Sequence, residues 1–154
     1  MLRQPLVALL LVFTLSGCSV LGYADPKFAL PAKRAKAMKL STDAFATNLR
    51  WGRYSEAGAF VEPDKRMEFL KMVRNPNSSI RFTDYEVVAV EMSDEEVTEA
   101  TALVNFRLHR LPSMREVYFQ DEQTWKYDAG DRKWYVDPDL TAYGDAGKPV
   151  ASAP

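Results

Sequence analysis

The chain has 154 residues, with 20 Lys and Arg against 21 Asp and Glu, one His and one Cys. That length suits one domain able to bury a core without cross-links. A net charge of −1 supplies no overall basic field, which argues against nucleic acid as a partner, and a lone cysteine excludes an internal disulfide and a multi-thiolate metal site.

Residues 1–17 have the layout of a secretory signal: Arg3 is a positive start, 6–15 an apolar stretch, and Ser16-Gly17 a pair of small residues. The apolar stretch is well short of the roughly 20 residues a spanning helix needs. Leu15-Ser16-Gly17-Cys18 resembles the cleavage and lipidation box of a bacterial lipoprotein. That resemblance implies removal of 1–17, a diacylglycerol on the Cys18 sulfur and a further acyl chain, such as palmitate, on the new amino terminus. Two or more acyl chains hold a protein stably on a bilayer. Ser19, rather than Asp, follows the cysteine, which by the same resemblance implies an outer-membrane anchor facing the periplasm, with the inner membrane as the alternative.

Residues 18–34 carry Gly22, Pro26 and Pro31 and read as the lipidated cysteine and its tether. Lys27, Lys33, Arg34, Lys36 and Lys39 follow with only Asp25 against them. Two readings stand: attraction to anionic headgroups, worth about 1 kcal/mol per charge near the surface, or the solvated start of a helix. From 35 to 74 the pattern is helical. Met38, Phe45, Ala46 and Leu49 recur at three- and four-residue spacing, with Ser41 or Asp43 available as a cap. Gly52 interrupts, 54–60 forms a second short helix, and Pro63-Asp64 opens a third with Met67, Leu70, Met72 and Val73 as its apolar side.

After Ser79 the period changes to two. Segments 80–92, 97–111, 116–127 and 134–136 are rich in Val, Phe, Tyr, Thr and Trp and read as four antiparallel strands joined by short turns. In the first, apolar parity changes near Asp84-Tyr85, which predicts a bulge there. Helices followed by a meander give an α+β domain over 35–138, with helices on one face of a curved sheet. Residues 139–154 are rich in Gly, Ala and Pro and read as a disordered tail.

The stretch Leu49-Arg50-Trp51-Gly52-Arg53-Tyr54 with Ala57 and Phe60, the long hairpins, and the closing Trp125-Lys126-Tyr127-Asp128 and Lys133-Trp134-Tyr135-Val136-Asp137 resemble the NTF2-like, or SnoaL-like, cone-shaped fold. The resemblance implies a pocket inside the cone and makes a homodimer through the open sheet face plausible. That superfamily hosts isomerases, cyclases, ligand binders and interaction modules, so membership alone assigns no activity.

Strand parity places candidates on faces. In 97–111 the even residues Ala100, Ala102, Val104, Phe106 and Leu108 are apolar and should face the core, leaving the single histidine, His109, on the polar face near a strand end. No second His or Cys completes a metal set with it, and no cofactor motif is present. In 116–127 the odd residues include Asp121 and Gln123 among Val117, Phe119, Trp125 and Tyr127. Inward polar groups of this kind would line the cone's pocket, and burial would raise the Asp121 carboxyl toward values useful in proton transfer. Ligand-binding candidates are Trp51, Tyr54, Tyr85, Asp121, Gln123 and Trp125; Asp121 is the sole catalytic candidate. The competing readings of Asp121 are a bulge that turns it outward, or an ion pair with Arg50 or Arg53. With no paired catalytic constellation, the sequence favours a lipid-anchored, non-enzymatic envelope module that docks an envelope protein or holds a small apolar ligand. The alternative is a small isomerase- or hydrolase-like enzyme using a pocket carboxylate.

Overall fold

The computed structural model describes residues 26–74, 80–110, 115–140 and 143. The signal segment, Cys18 and the lipobox lie outside the described residues, as do the 75–79 and 111–114 connections and most of 139–154. No described helix is long and apolar enough to cross a membrane.

Helix α1, Pro26–Arg50, begins inside the stretch read as a tether. Pro26 stands at the first helical position, where proline's fixed φ is favourable, and the alanines and lysines after Pro31 are strong helix formers that carry the helix on. Ser41 and Asp43 are therefore interior helix residues rather than caps. The buried stripe is Met38, Thr42, Phe45, Ala46 and Leu49, the i, i+3, i+4 face of an amphipathic helix. Thr42 satisfies its hydroxyl on the Met38 carbonyl at 3.2 Å. Gly52, at φ 65°, ends the helix in the left-handed conformation that glycine adopts without steric cost.

Helix α2, Tyr54–Gly58, and helix α3, Arg66–Val73, follow. Gly58 is a close approach: a Cβ there would lie 3.0 Å from a Leu70 methyl. α3 starts three residues after Pro63, and its core residues are Phe69 and Val73. Met67, expected on the apolar side, is exposed. An eight-residue helix presents only one i, i+4 pair squarely to the core, and Phe69 with Val73 forms it.

Four strands, β1 Ile80–Met92, β2 Glu99–Arg110, β3 Glu116–Asp128 and β4 Lys133–Asp137, form one antiparallel sheet in sequence order. Helices packed on one face of this open sheet make an α+β domain, as expected. The β1–β2 register shifts between Phe82 and Asp84, as the parity change predicts, and again between Val87 and Ala89. Each shift flips the inward set, so Phe82, then Tyr85 and Val87, then Val90 and Met92 pack on the core.

On β2 the five even residues from Ala100 to Leu108 are all buried, as their parity requires. The β1–β2 turn is tied by Asp94, whose carboxylate accepts from the Thr98 and Glu99 amides and the Thr98 hydroxyl. These bonds, the Thr98 hydroxyl first, hold its pKa below the usual carboxylate range. The free side of β4 is covered by a parallel bridge between Val61 and Val136, which shields part of an otherwise open edge.

Candidate functional site

The six residues singled out from sequence divide among three places. Asp121, Gln123 and Trp125 come together in the core beneath the helices. Tyr85 sits at a cleft on β1–β3. Trp51 and Tyr54 lie apart from both.

β3 alternation turns residues 121, 123 and 125 inward, and Asp121 is 3% exposed. No bulge rotates it outward, since β2–β3 pairing runs without a register shift from His109↔Glu116 to Glu99↔Lys126. Neither Arg50 nor Arg53 reaches it; Arg50 lies 3.8 Å from Asp84 instead. The partners of Asp121 are neutral. Tyr143 Oη donates to Asp121 Oδ2 at 2.5 Å, and Gln123 Nε2 donates to the same oxygen at 2.6 Å. Gln123 Oε1 in turn accepts from Trp125 Nε1 at 3.0 Å. A buried polar row, Trp125–Gln123–Asp121–Tyr143, is thus satisfied along its length.

Tyr143 belongs to the stretch read as a disordered tail, yet it is 1% exposed. Its ring meets Phe119 at 5.4 Å and Phe69 at 6.0 Å, both edge to face. This is the residue sequence reasoning missed, and its signal was an isolated aromatic in a Gly- and Ala-rich tail. The hydroxyl supplies a donor to a carboxylate that no cation among the described residues pairs with.

Desolvation pushes the Asp121 carboxyl up to about 6, against the hydrogen bonds of Tyr143 and Gln123. Burial likewise raises the Tyr143 phenol well above its ordinary value, and the neighbouring Asp121 charge raises it further. A carboxyl titrating near neutrality beside a phenol could move a proton. Its surroundings are packed side chains: Phe45, Phe69, Phe106 and Trp125 are fully buried around it in one core.

The second place is on the other side of the sheet. Cross-strand register aligns Asp84, Arg107 and Tyr118 in one row and Glu86, Asn105 and Gln120 in the next. These side chains, with Tyr85 and Phe119, line a cleft of about 410 Å³. Arg107 pairs with Asp84, Gln120 Nε2 donates to Asn105 Oδ1 at 3.0 Å, and Tyr118 projects with 75% exposure. Tyr85 joins the sheet to α1, its hydroxyl donating to Asp43 Oδ1 and meeting Thr47 Oγ1, both at 2.7 Å. Its pKa is raised, first by burial.

Trp51 is 64% exposed with the Arg50 guanidinium 5.5 Å from its ring centre, a cation–π contact at the surface. Tyr54 donates weakly to the Ile80 carbonyl at 3.4 Å. Trp51 and Tyr54 do not join Trp125 and Trp134 in an aromatic box: Trp125 and Trp134 are core, and Trp134 donates its indole N–H to the Arg34 carbonyl. His109 stays near the end of β2, paired across the sheet with Arg81 and Glu116. Among the described residues no three His, Cys, Asp or Glu side chains are grouped to hold a metal ion.

No family model matches the chain, and no curated protein matches it significantly.

Proposed function

We propose that the chain is a lipid-anchored module of the cell envelope, held at the outer membrane through acylated Cys18, which docks an envelope protein and performs no catalysis. Its fold is read as an NTF2-like cone whose interior is filled. The observation that supports docking over catalysis is the closure of the Asp121 site by Tyr143: the carboxylate meets a phenol and an amide within a packed core, where no substrate atom reaches it. The same plug weighs against a small apolar ligand in the cone. Polar and aromatic groups free to meet a partner lie instead on the solvent face of the sheet, around Tyr118 and the Asp84–Arg107 pair.

The test is site-specific photocrosslinking in cells from position 118, in the wild-type, Asp121→Asn and Cys18→Ser backgrounds. A discrete adduct should form with the wild type, persist in Asp121→Asn and disappear in Cys18→Ser, which has no lipid anchor. An adduct indifferent to Cys18, or none at all, removes the anchored docking role. The enzyme alternative rests on the raised Asp121 pKa, and it returns if a purified fraction turns over a substrate that Asp121→Asn leaves untouched.

A further inference from the structure

Charge is divided unevenly along α1. Residues 26–42 contain five basic side chains and no acidic one, and the first acid, Asp43, already accepts from the Tyr85 hydroxyl. Nor is there an acid in the first turn, where the helix dipole would favour one. The basic run therefore does not follow the pattern that stabilises a helix start.

Arg34 has work within the domain. Its Nη1 donates to the Glu96 carbonyl at 2.8 Å, and its guanidinium lies 4.6 Å from the Tyr127 ring centre. Lys33, Lys36 and Lys39 are exposed, and no ion pair among the described residues uses them. Beside them stand two exposed leucines, Leu30 at 59% and Leu40 at 62%. Helical spacing of three to four residues puts 30, 33, 36 and 40 on one stripe, with 39 at its edge. The opposite stripe, through Met38, Thr42, Phe45 and Leu49, is the one sealed against the core.

An exposed helical stripe that mixes unpaired lysines with leucines matches a membrane–water interface, where phosphates take the cations and the acyl boundary takes the leucines. The chain leading to it narrows the choice of occupant. Seven residues separate Cys18 from Pro26, eight chain steps that span at most about 28 Å when extended, so an acylated Cys18 keeps this helix end beside the bilayer.

We infer that the Leu30–Lys33–Lys36–Leu40 stripe of α1, flanked by Lys39, seats on an anionic phospholipid surface. The inference uses the proposed lipid anchor to bring the helix to the bilayer. It adds an orientation: α1 lies on the inner side of the sheet, so seating its outer stripe on lipid turns the Tyr118 face away from the membrane, toward a docking partner.

The test is a polarity-sensitive label on Leu40→Cys in the full chain, prepared both with Cys18 acylated and in the Cys18→Ser background, so that residue 40 carries the reactive thiol. Vesicles are phosphatidylcholine with or without phosphatidylglycerol. The label should shift to the blue on the anionic vesicles alone and return in 1 M salt, where the screening length falls to about 3 Å. Each lysine contributes roughly a fivefold factor to partitioning at low salt. Changing Lys33, Lys36 and Lys39 together to Gln should therefore weaken binding of the Cys18→Ser chain to anionic vesicles roughly 100-fold, with an unchanged far-UV spectrum. A label on Val88→Cys, exposed on the sheet, should not shift.

Equal emission on the two vesicle types, or binding indifferent to the three lysines, overturns the inference and leaves the stripe to a protein. Intact mass of the membrane-extracted chain reads the anchor separately. An unacylated mass removes the anchor, whereas the vesicle comparison still decides the stripe.

Discussion

The Tyr143 hydroxyl donates to the Asp121 carboxylate at 2.5 Å inside the core, joining the C-terminal segment to the centre of β3. A charge-assisted bond of this kind is about twice as strong as a neutral one, and here it also fills the space beneath the helices with an aromatic ring. The domain's stability and its pH response both depend on this pair.

Tyr143→Phe keeps the ring and removes the donor, which should cost about 2 kcal/mol because a hydrogen bond to a charged acceptor is lost. Tyr143→Ala removes the plug as well and should cost about 4 kcal/mol, the usual range for emptying a large aromatic site. Urea midpoints of the unacylated Cys18→Ser chain measure both. If Tyr143→Ala leaves the midpoint unmoved, the C-terminal segment does not hold the core.

Protonation of Asp121 should stabilise the domain. The Asp121 carboxyl titrates near 6 when folded, against 3.8 as its ordinary value, so the folded state binds the proton more tightly than the unfolded one. Its contribution is fully present below about pH 4 and is lost as pH rises through about 6, a difference of roughly 3 kcal/mol. Asp121→Asn, with no proton to lose, should flatten the pH dependence between 4 and 6. The difference between wild-type and variant stability curves isolates this group from the other carboxylates, and parallel curves would contradict it.

Gln123→Leu should be more damaging than its matched size suggests. The amide both donates to Asp121 and accepts from the Trp125 indole, so leucine strands a buried donor and strips a carboxylate of one of its two partners. A loss of about 2 to 4 kcal/mol follows. The Asp121 titration should also move higher, since the Gln123 bond is one of the two that hold it down. Stability curves of Gln123→Leu, compared with Gln123→Leu/Asp121→Asn, read that movement directly.

Cys18→Ser should shift the protein from the detergent-extracted membrane fraction to the soluble periplasmic fraction. Three acyl chains give an anchor that washing does not reverse, whereas the basic stripe of α1 alone binds in a salt-dependent way. Fractionation at low and high salt separates the two. Retention of Cys18→Ser in the membrane at high salt would remove the lipid anchor from the proposal.

Much of this architecture is legible in the sequence because it depends on local periodicity. The even residues of β2 and the odd residues of β3 alternate strictly, so their core face, and the inward placement of Asp121 and Gln123, follow from a period of two. The turns between strands and the break at Gly52 carry their own conformational chemistry. The start of α1 was less legible, because Pro26 and Pro31 read as breakers when one of them occupies a position where helices accept proline.

What tertiary structure alone decided is what stands beside each face. Parity puts Asp121 inward but cannot say whether it meets solvent, substrate or protein; Tyr143, distant in sequence and set in a tail without periodicity, supplies the answer by filling the site. The rows Asp84–Arg107–Tyr118 and Glu86–Asn105–Gln120 likewise exist only once register brings three strands together, and the two bulges of β1 set which of its residues join them. Short-range alternation is written in consecutive residues, whereas the partner of a buried polar group is chosen by long-range packing that no local pattern encodes.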